Sequence, residues 1–318
     1  MKRILDKRNM TEKDWQEYRK RQKGIGGSDV ATILGLNPYK TAFTLWLEKT
    51  GQIEPPEINN EYIEWGNLLE PVIREKFAKE TGFEVFENPY VLQHDTYEFM
   101  VANIDGEIID DTGKKGILEI KTANERMAKD WMDGIPNHYM LQIQHYLAVM
   151  DGYDYAYCAV LIGGNHFKYY KIERDDYVID GIISAEMNFM LLVEKGIAPE
   201  ISGHSADGDW LASAYPDAND EESLLEPHLE ALAIRYNELQ DEIKYLLAES
   251  DSIKNRIKLE AKEYKILKSE YVKISMPTVK KVTFNSKQFA ADYPELYEKY
   301  KNQETSYRSF SVKFMKEE

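Results

Sequence analysis

Asp105, Glu119 and Lys121 are the residues of this chain whose types and spacing point most directly to chemistry. Asp105 stands in Asn103-Ile104-Asp105-Gly106, and Glu119-Ile120-Lys121 begins fourteen residues after it. Side chains alternate between faces along a strand, so Glu119 and Lys121 share one face while Leu118 and Ile120 share the other. The pattern predicts a β-hairpin in which residues 99–109 pair with residues 116–122 across a turn at 110–114, setting Asp105 beside Glu119. Two hard oxygen ligands and a neighbouring lysine are what a divalent metal and an activated water need to cut a phosphodiester. The triplet is a loose pattern that a solvated hairpin also writes. Apolar Leu118 and Ile120 give the strand a buried side, however, and a carboxylate at a buried edge wants a cation.

Three further groups belong with this triplet. Glu70, in Trp65-Gly66-Asn67-Leu68-Leu69-Glu70-Pro71, is either a solvent-facing glutamate or a third acid facing the metal, directly or through water. Gln142 and Tyr146 are one helical turn apart and share a face, where a glutamine can hold a base, a water or a phosphate. His145, between them in sequence, points elsewhere and reads as a structural histidine. Arg19, Lys20, Arg21 and Lys23 precede Gly24-Ile25-Gly26-Gly27-Ser28, a candidate phosphate clamp whose glycines let backbone N–H groups approach an anion. A tight helix–helix turn is the ordinary explanation of those glycines. The stretch is neither a Walker loop, lacking Gly-Lys-Ser/Thr, nor a dinucleotide fingerprint, because a helix precedes it.

The elements that must position these residues alternate. A basic amphipathic helix is expected over residues 11–23, then a helix 29–34 capped by Ser28. Helices follow at 42–50 and 62–81, closed by Gly51 and Gly82. Strands are expected at 84–88 and 90–94, then the hairpin, a helix at 138–152, strands at 155–162 and 167–172, and a helix at 175–195 ended by Gly196. This alternation describes an α/β domain with a mixed sheet and helices on both faces. Residues 202–222 are polar and irregular apart from a helical turn at 210–214. From Leu225 to Tyr271 apolar residues then fall on alternating four- and three-residue steps, interrupted only at Ser250 and Glu260. That is a coiled-coil seam, either one long helix or a hairpin broken near Ser250. Beyond it, 271–284 reads as extended, 294–300 as helical and 309–314 as extended. The expected division is 1–205 for the α/β domain, 206–222 for a linker, 223–275 for the coiled coil and 276–318 for a basic tail.

Composition narrows the class. With 43% hydrophobic and 12% aromatic residues, 318 residues can bury a sizeable core. No run of about eighteen apolar residues occurs, so no transmembrane helix is expected. The N-terminal residues have charges without an apolar segment behind them, so they do not read as a signal peptide. Cys158 is the only cysteine, which excludes disulfides and cysteine-ligated clusters and fits a reducing cytoplasm. The formal charge of −16 argues against a generic nucleic-acid coat, but charge is uneven. From Asp251 onward 15 basic residues face 10 acidic ones, a net of +5, whereas the first 250 residues carry 25 against 46, a net of −21. DNA contact, if any, runs through local basic surface.

In order along the chain, Arg21 with Gly24-Ile25-Gly26-Gly27-Ser28-Asp29, then Asn37-Pro38-Tyr39-Lys40-Thr41, Trp65-Gly66 with Glu70-Pro71, Asn103-Ile104-Asp105-Gly106, Leu118-Glu119-Ile120-Lys121 and Tyr139 to Gln144 form a set. The set resembles the YqaJ-type viral recombinases, relatives of lambda exonuclease within the PD-(D/E)XK nuclease superfamily, over roughly residues 20–197. The resemblance implies a PD-(D/E)XK core and a double-strand DNA exonuclease that digests one strand from its 5′ end and leaves 3′ overhangs for recombination by single-strand annealing. It implies Mg2+, with Mn2+ as a substitute, held by Asp105, Glu119 and the Ile120 carbonyl with Glu70 nearby. Lys121 would orient or activate water, Gln142 matches the family's active-site glutamine, and Arg21 and Ser28 match positions that hold the 5′-phosphate. It also implies a ring-shaped homo-oligomer, usually a trimer, around DNA ends, a single-strand annealing protein as partner, and a phage or prophage protein in the host cytoplasm. The heptad segment and the tail lie outside the resemblance. An endonuclease of the same superfamily, and a non-catalytic scaffold acting through the coiled coil, are the alternatives.

Overall fold

A computed structural model describes residues 1–55, 61–219, 221–301 and 307–314. The chain divides into two compact units, Met1–Leu211 and Ala212–Glu318.

The first unit is built on a five-stranded mixed sheet. Its strands are β2 (Glu84–Phe86), β5 (Gly106–Ile109), β6 (Lys115–Ala123), β7 (Tyr155–Ile162) and β8 (His166–Glu173), in the spatial order β2-β5-β6-β7-β8. Only the central pair β6–β7 is parallel; the crossover between them contains α5 (Asn137–Val149). Antiparallel neighbours flank that pair on both sides. A second, three-stranded antiparallel sheet joins β1 (Lys2–Asp6), β3 (Tyr90–Gln93) and β4 (Val101–Ala102).

Alternation along β6 decides what each face packs against. Leu118 and Ile120 lie with Ile108 and Ala159 against Ile73 and Phe77 of α4 (Glu61–Thr81). Ile117, one residue out of phase, packs with Ile143 and Leu147 of α5 and Ile179 and Ile182 of α6 (Asp176–Lys195). Helices therefore cover both faces, as the alternating pattern requires. α6 starts on Asp175, whose carboxylate accepts from the N–H groups of Tyr177 and Val178. It stops at Gly196, whose φ of 65° is left-handed backbone that a side chain resists. A third cluster gathers Ile25, Phe43, Leu45, Trp46 and Leu47 with Phe189 of α6. It seats α2 (Gly27–Ile33) and α3 (Ala42–Lys49), while α1 (Glu12–Arg21) precedes it in the chain.

Several expectations need correction. Residues 99–109 are not one strand. Val101–Ala102 pairs with β3 in the smaller sheet, and pairing with β6 begins only at Gly106, opposite Leu118. The break at Asn103–Asp105 is what frees Asp105 from the ladder. Ser28 is not a helix cap, because α2 begins one residue earlier and its N-cap is Gly26. Asp29, rather than Ser28, supplies the capping oxygen by accepting from the Gly26 N–H at 3.2 Å. The helical turn expected at 210–214 in the polar stretch begins five residues earlier, as α7 (Ser205–Ala214).

In the second unit α8 (Pro227–Ala261) is one uninterrupted helix of 35 residues, with no break at Ser250. It opens with Pro at its first position, where the missing N–H costs nothing. It ends before the heptad run does. Tyr264, Leu267 and Tyr271 fall in or beside a hairpin, β9 (Ile266–Lys268) with β10 (Lys273–Ser275). Three- and four-residue spacing and a two-residue alternation coincide over such a short stretch, and β-branched Val272 and Ile274 favour the strand. Further on, α9 (Ser286–Asp292), not anticipated, precedes α10 (Pro294–Tyr300).

Candidate functional site

The site forms where β5 and β6 part. If the ladder continued past Gly106 and Leu118, a carbonyl of β5 would meet the Ile120 N–H. The chain turns away instead, and the Asp105 carboxylate takes that donor at 2.7 Å. A backbone N–H at a buried strand must find an acceptor, so the break in the strand and the inward aim of Asp105 are the same event. One residue before Ile120, Glu119 is 2% exposed. Its Oε1 accepts from Lys121 Nζ at 2.6 Å and from Gln142 Nε2 at 2.9 Å. Gln142 also donates to the Tyr146 hydroxyl at 2.9 Å and accepts from Lys121 at 3.2 Å. The Lys121 ammonium lies 4.7 Å from the centre of the Tyr139 ring. Glu119, Lys121, Gln142 and Tyr146 thus form one closed network between β6 and α5.

Glu70 approaches from α4. Arg74, one turn further along that helix, pairs with Glu70 and donates to the Asp105 carbonyl at 3.0 Å. Pro71 sits inside α4 directly after Glu70 and removes a helical N–H there. Arg74 is not among the residues that sequence reasoning singles out. Its one signal is its place four residues after Glu70, the spacing of helical ion pairs.

All three acids have a raised pKa, and the Asp105 charge helps to raise the other two. Burial first, and then the Asp105 charge, push Glu119 up to about 8. Burial and Asp105 likewise push Glu70 up to about 7. Asp105 itself is raised by burial, against the pull of Lys121. Lys121 is raised as well, its burial being outweighed by Glu119 and Asp105. Glu119 Oε2 is buried without a hydrogen-bond partner among the described residues. An orphaned carboxylate oxygen among crowded acids is a hard donor with unanswered charge, and a divalent cation answers it. Among the described residues no three His, Cys, Asp or Glu side chains gather into a metal-holding group. The donors that fit such a cation are the carboxylates of Asp105 and Glu119.

Ser28 and Arg21 are placed differently. Ser28 is exposed in the first turn of α2, the helix that lies against α5. Gly27 is the point of contact: a Cβ there would come within 2.6 Å of the Tyr146 ring and 2.8 Å of Gln142 Cγ. Arg21, in the last turn of α1, is exposed and pairs with Glu17 at 3.3 Å. His145 is buried and bonds Glu186 at 2.7 Å and the Val101 carbonyl at 2.9 Å, which makes it a structural residue.

The contact at Gly27 yields a prediction. Gly27→Ala should displace Gln142 and Tyr146 and lower activity roughly tenfold or more, an effect typical of misplacing a positioned group. It should leave Asp105 and Glu119 in place. Steady-state digestion rates of the variant against wild type provide the check, and equal rates would show that the network tolerates the shift.

At a broken strand, a mixed α/β sheet thus carries the half-buried Asp105 and the buried Glu119 beside a lysine. Residues 14–153 match the YqaJ-like viral recombinase domain. The chain is 39% identical over 300 residues to the uncharacterized protein YqaJ of Bacillus subtilis, covering 92% of each. The chain belongs to the YqaJ-like viral recombinase family. It is also 29% identical over 159 residues to protein D345L of African swine fever virus, covering 42% of this chain and 44% of that one. Among solved structures, an alkaline exonuclease from Laribacter hongkongensis aligns with a TM-score of 0.48 and 22% identity, over 63% of this chain and all of that one.

Proposed function

We propose that this chain is a Mg2+-dependent nuclease of the PD-(D/E)XK type that digests one strand of duplex DNA from 5′ ends and leaves 3′ overhangs for phage-type recombination. The observation that carries this reading is the Asp105–Glu119 pair, Glu119 buried with its Oε2 unpartnered among the described residues and Lys121 bonded beside it. A bound divalent cation would polarise the phosphoryl oxygen and ease ionisation of water. The chain's own residues do the rest. Asp105 and Glu119 supply charge for the cation, and the Ile120 N–H fixes the Asp105 carboxylate. Lys121, held between Glu119 and Gln142, presents its ammonium where charge develops on the phosphate. Glu70, raised by burial and the Asp105 charge and paired with Arg74, is assigned the role of accepting a proton from the attacking water.

The basic last turn of α1 and the start of α2, with Arg21 and Ser28, are assigned to the 5′-phosphate of the strand being digested. We assign hydrolysis to residues 1–205 and assembly to the coiled-coil stretch 223–275, joined by 206–222, with 276–318 as a basic tail. The homo-oligomer is a ring, most simply a trimer, and a single-strand annealing protein is the partner in the host cytoplasm. Among the described residues no helix is long and apolar enough to cross a membrane.

Plasmid DNA tests the end requirement. The enzyme is expected to degrade linearised plasmid in Mg2+ or Mn2+ and to spare the closed circle. Cutting of the circle would identify an endonuclease instead, and digestion of neither would favour a scaffold. Linear duplex with 5′-phosphate should be digested faster than duplex with 5′-hydroxyl, and Arg21→Ala should erase the difference. Equal wild-type rates on the two ends would remove Arg21 and Ser28 from that role.

A further inference from the structure

Lys7 lies outside the matched domain, yet the fold delivers it to the acid site. Pairing of Asp6 with Tyr90 carries the N-terminal strand across β3, and the Lys7 N–H donates to the Pro89 carbonyl at 2.8 Å. Its half-buried ammonium donates to Asn103 Oδ1 at 2.5 Å, two residues before Asp105, and stands 5.6 Å from the Trp15 ring centre. The charges that act on it are those of Asp105, Glu70, Glu87 and Arg74.

Of three cations around the acids, two are paired with carboxylates. Lys121 serves Glu119 and Gln142, and Arg74 serves Glu70 and the Asp105 carbonyl. Lys7 alone is held by a neutral amide, and among the described residues no carboxylate lies within ion-pair distance of it. An ammonium has three donors, and burying it without a paired charge is costly. Its surroundings therefore suit an anionic oxygen from outside the chain. Trp15 belongs to α1, the helix whose last turn carries Arg19, Lys20 and Arg21.

We infer that Lys7 is a DNA contact, donating to a non-bridging phosphate oxygen of the strand that enters the Asp105–Glu119 site. This rests on the nuclease reading above. It adds a binding residue supplied by the N-terminal strand, beyond the set assigned to the 5′-phosphate.

Binding of 5′-phosphorylated duplex, measured by anisotropy over a salt series on the Lys121→Ala background in Mg2+, tests it without consuming the strand. Lys7→Gln should weaken binding about five- to tenfold at low salt and reduce the slope of log K against log salt by about 1, the signature of one lost phosphate contact. Lys7→Arg should restore both, and the thermal midpoint should hold. Lys7→Met, which keeps the stem over Trp15, replaces Lys7→Gln should the latter not fold. An unchanged salt slope, with or without a lower midpoint, would make Lys7 a strut for Asn103 and overturn the inference. Failure of the parent protein to bind duplex, together with failure of the wild type to digest it, would instead overturn the nuclease reading itself.

Discussion

Lys121→Ala is expected to cut Mg2+-dependent digestion of linear duplex by about a thousandfold, the upper end for removing a donor aimed at developing charge. Asp105 should matter as much, but the choice of variant decides what is learned. Asp105→Ala takes away the acceptor for the Ile120 N–H as well as the charge. An unsatisfied buried donor costs about 1–3 kcal/mol, so loss of activity would be mixed with loss of local order. Asp105→Asn retains an acceptor oxygen and removes only the charge. It should match the wild type in thermal midpoint while losing activity to the same extent as Lys121→Ala. Retention of more than a tenth of wild-type activity in Lys121→Ala or Asp105→Asn, measured with end-labelled duplex, would mean that hydrolysis does not pass through this site.

The second large effect concerns stability and lies away from the acids. His145 and Glu186 are both fully buried and bonded at 2.7 Å, and Glu186 Oε2 has no further partner among the described residues. Removing one member of a buried ion pair strands the other, at about 3–5 kcal/mol. Glu186→Ala should therefore lower the denaturation midpoint steeply, more than any single exposed substitution. The pair also carries a pH signature. Burial disfavours the charged ring of His145, but Glu186 outweighs it and raises the pKa. A raised folded-state pKa stabilises fully below the unfolded value of about 6.5 and loses that contribution as pH rises through the folded value. The stability gap between wild type and His145→Gln should accordingly be wider at acidic pH than at alkaline pH. A gap that grows on the alkaline side would show that the ring is neutral in the folded protein.

Much of the fold and of the site is legible in the residue pattern alone. The helices α3 to α6 and the pair β7–β8 follow from periodicity, and the shared face of Gln142 with Tyr146 follows from four-residue spacing. What the pattern does not reveal depends on distant pairing. β1 is five residues with mixed charge, and only its register with Tyr90–Gln93, far along the chain, makes it a strand. The break at Asn103–Asp105 is hidden for the same reason. Local alternation continues straight through it, while the competing partner for Val101 and Ala102 is β3. Residue types and spacing therefore single out Asp105 and Glu119 without showing that a backbone N–H aims the first. Lys7 has no local signal at all, because only the pairing of β1 brings it near the acids. The end of α8 at Ala261 is masked because apolar residues keep their spacing into the hairpin.

Cys158 pairs in register with Glu119 across the parallel strands β6 and β7, wholly buried, its thiol pushed up to about 12 by burial and then by Glu119. Electrophiles and peroxides attack thiolates, and almost none exists at this position at neutral pH. Burial and a suppressed thiolate thus both shield the Cys158 sulfur. A chain with no other cysteine can accept an engineered surface thiol for labelling without its own sulfur competing for the reagent.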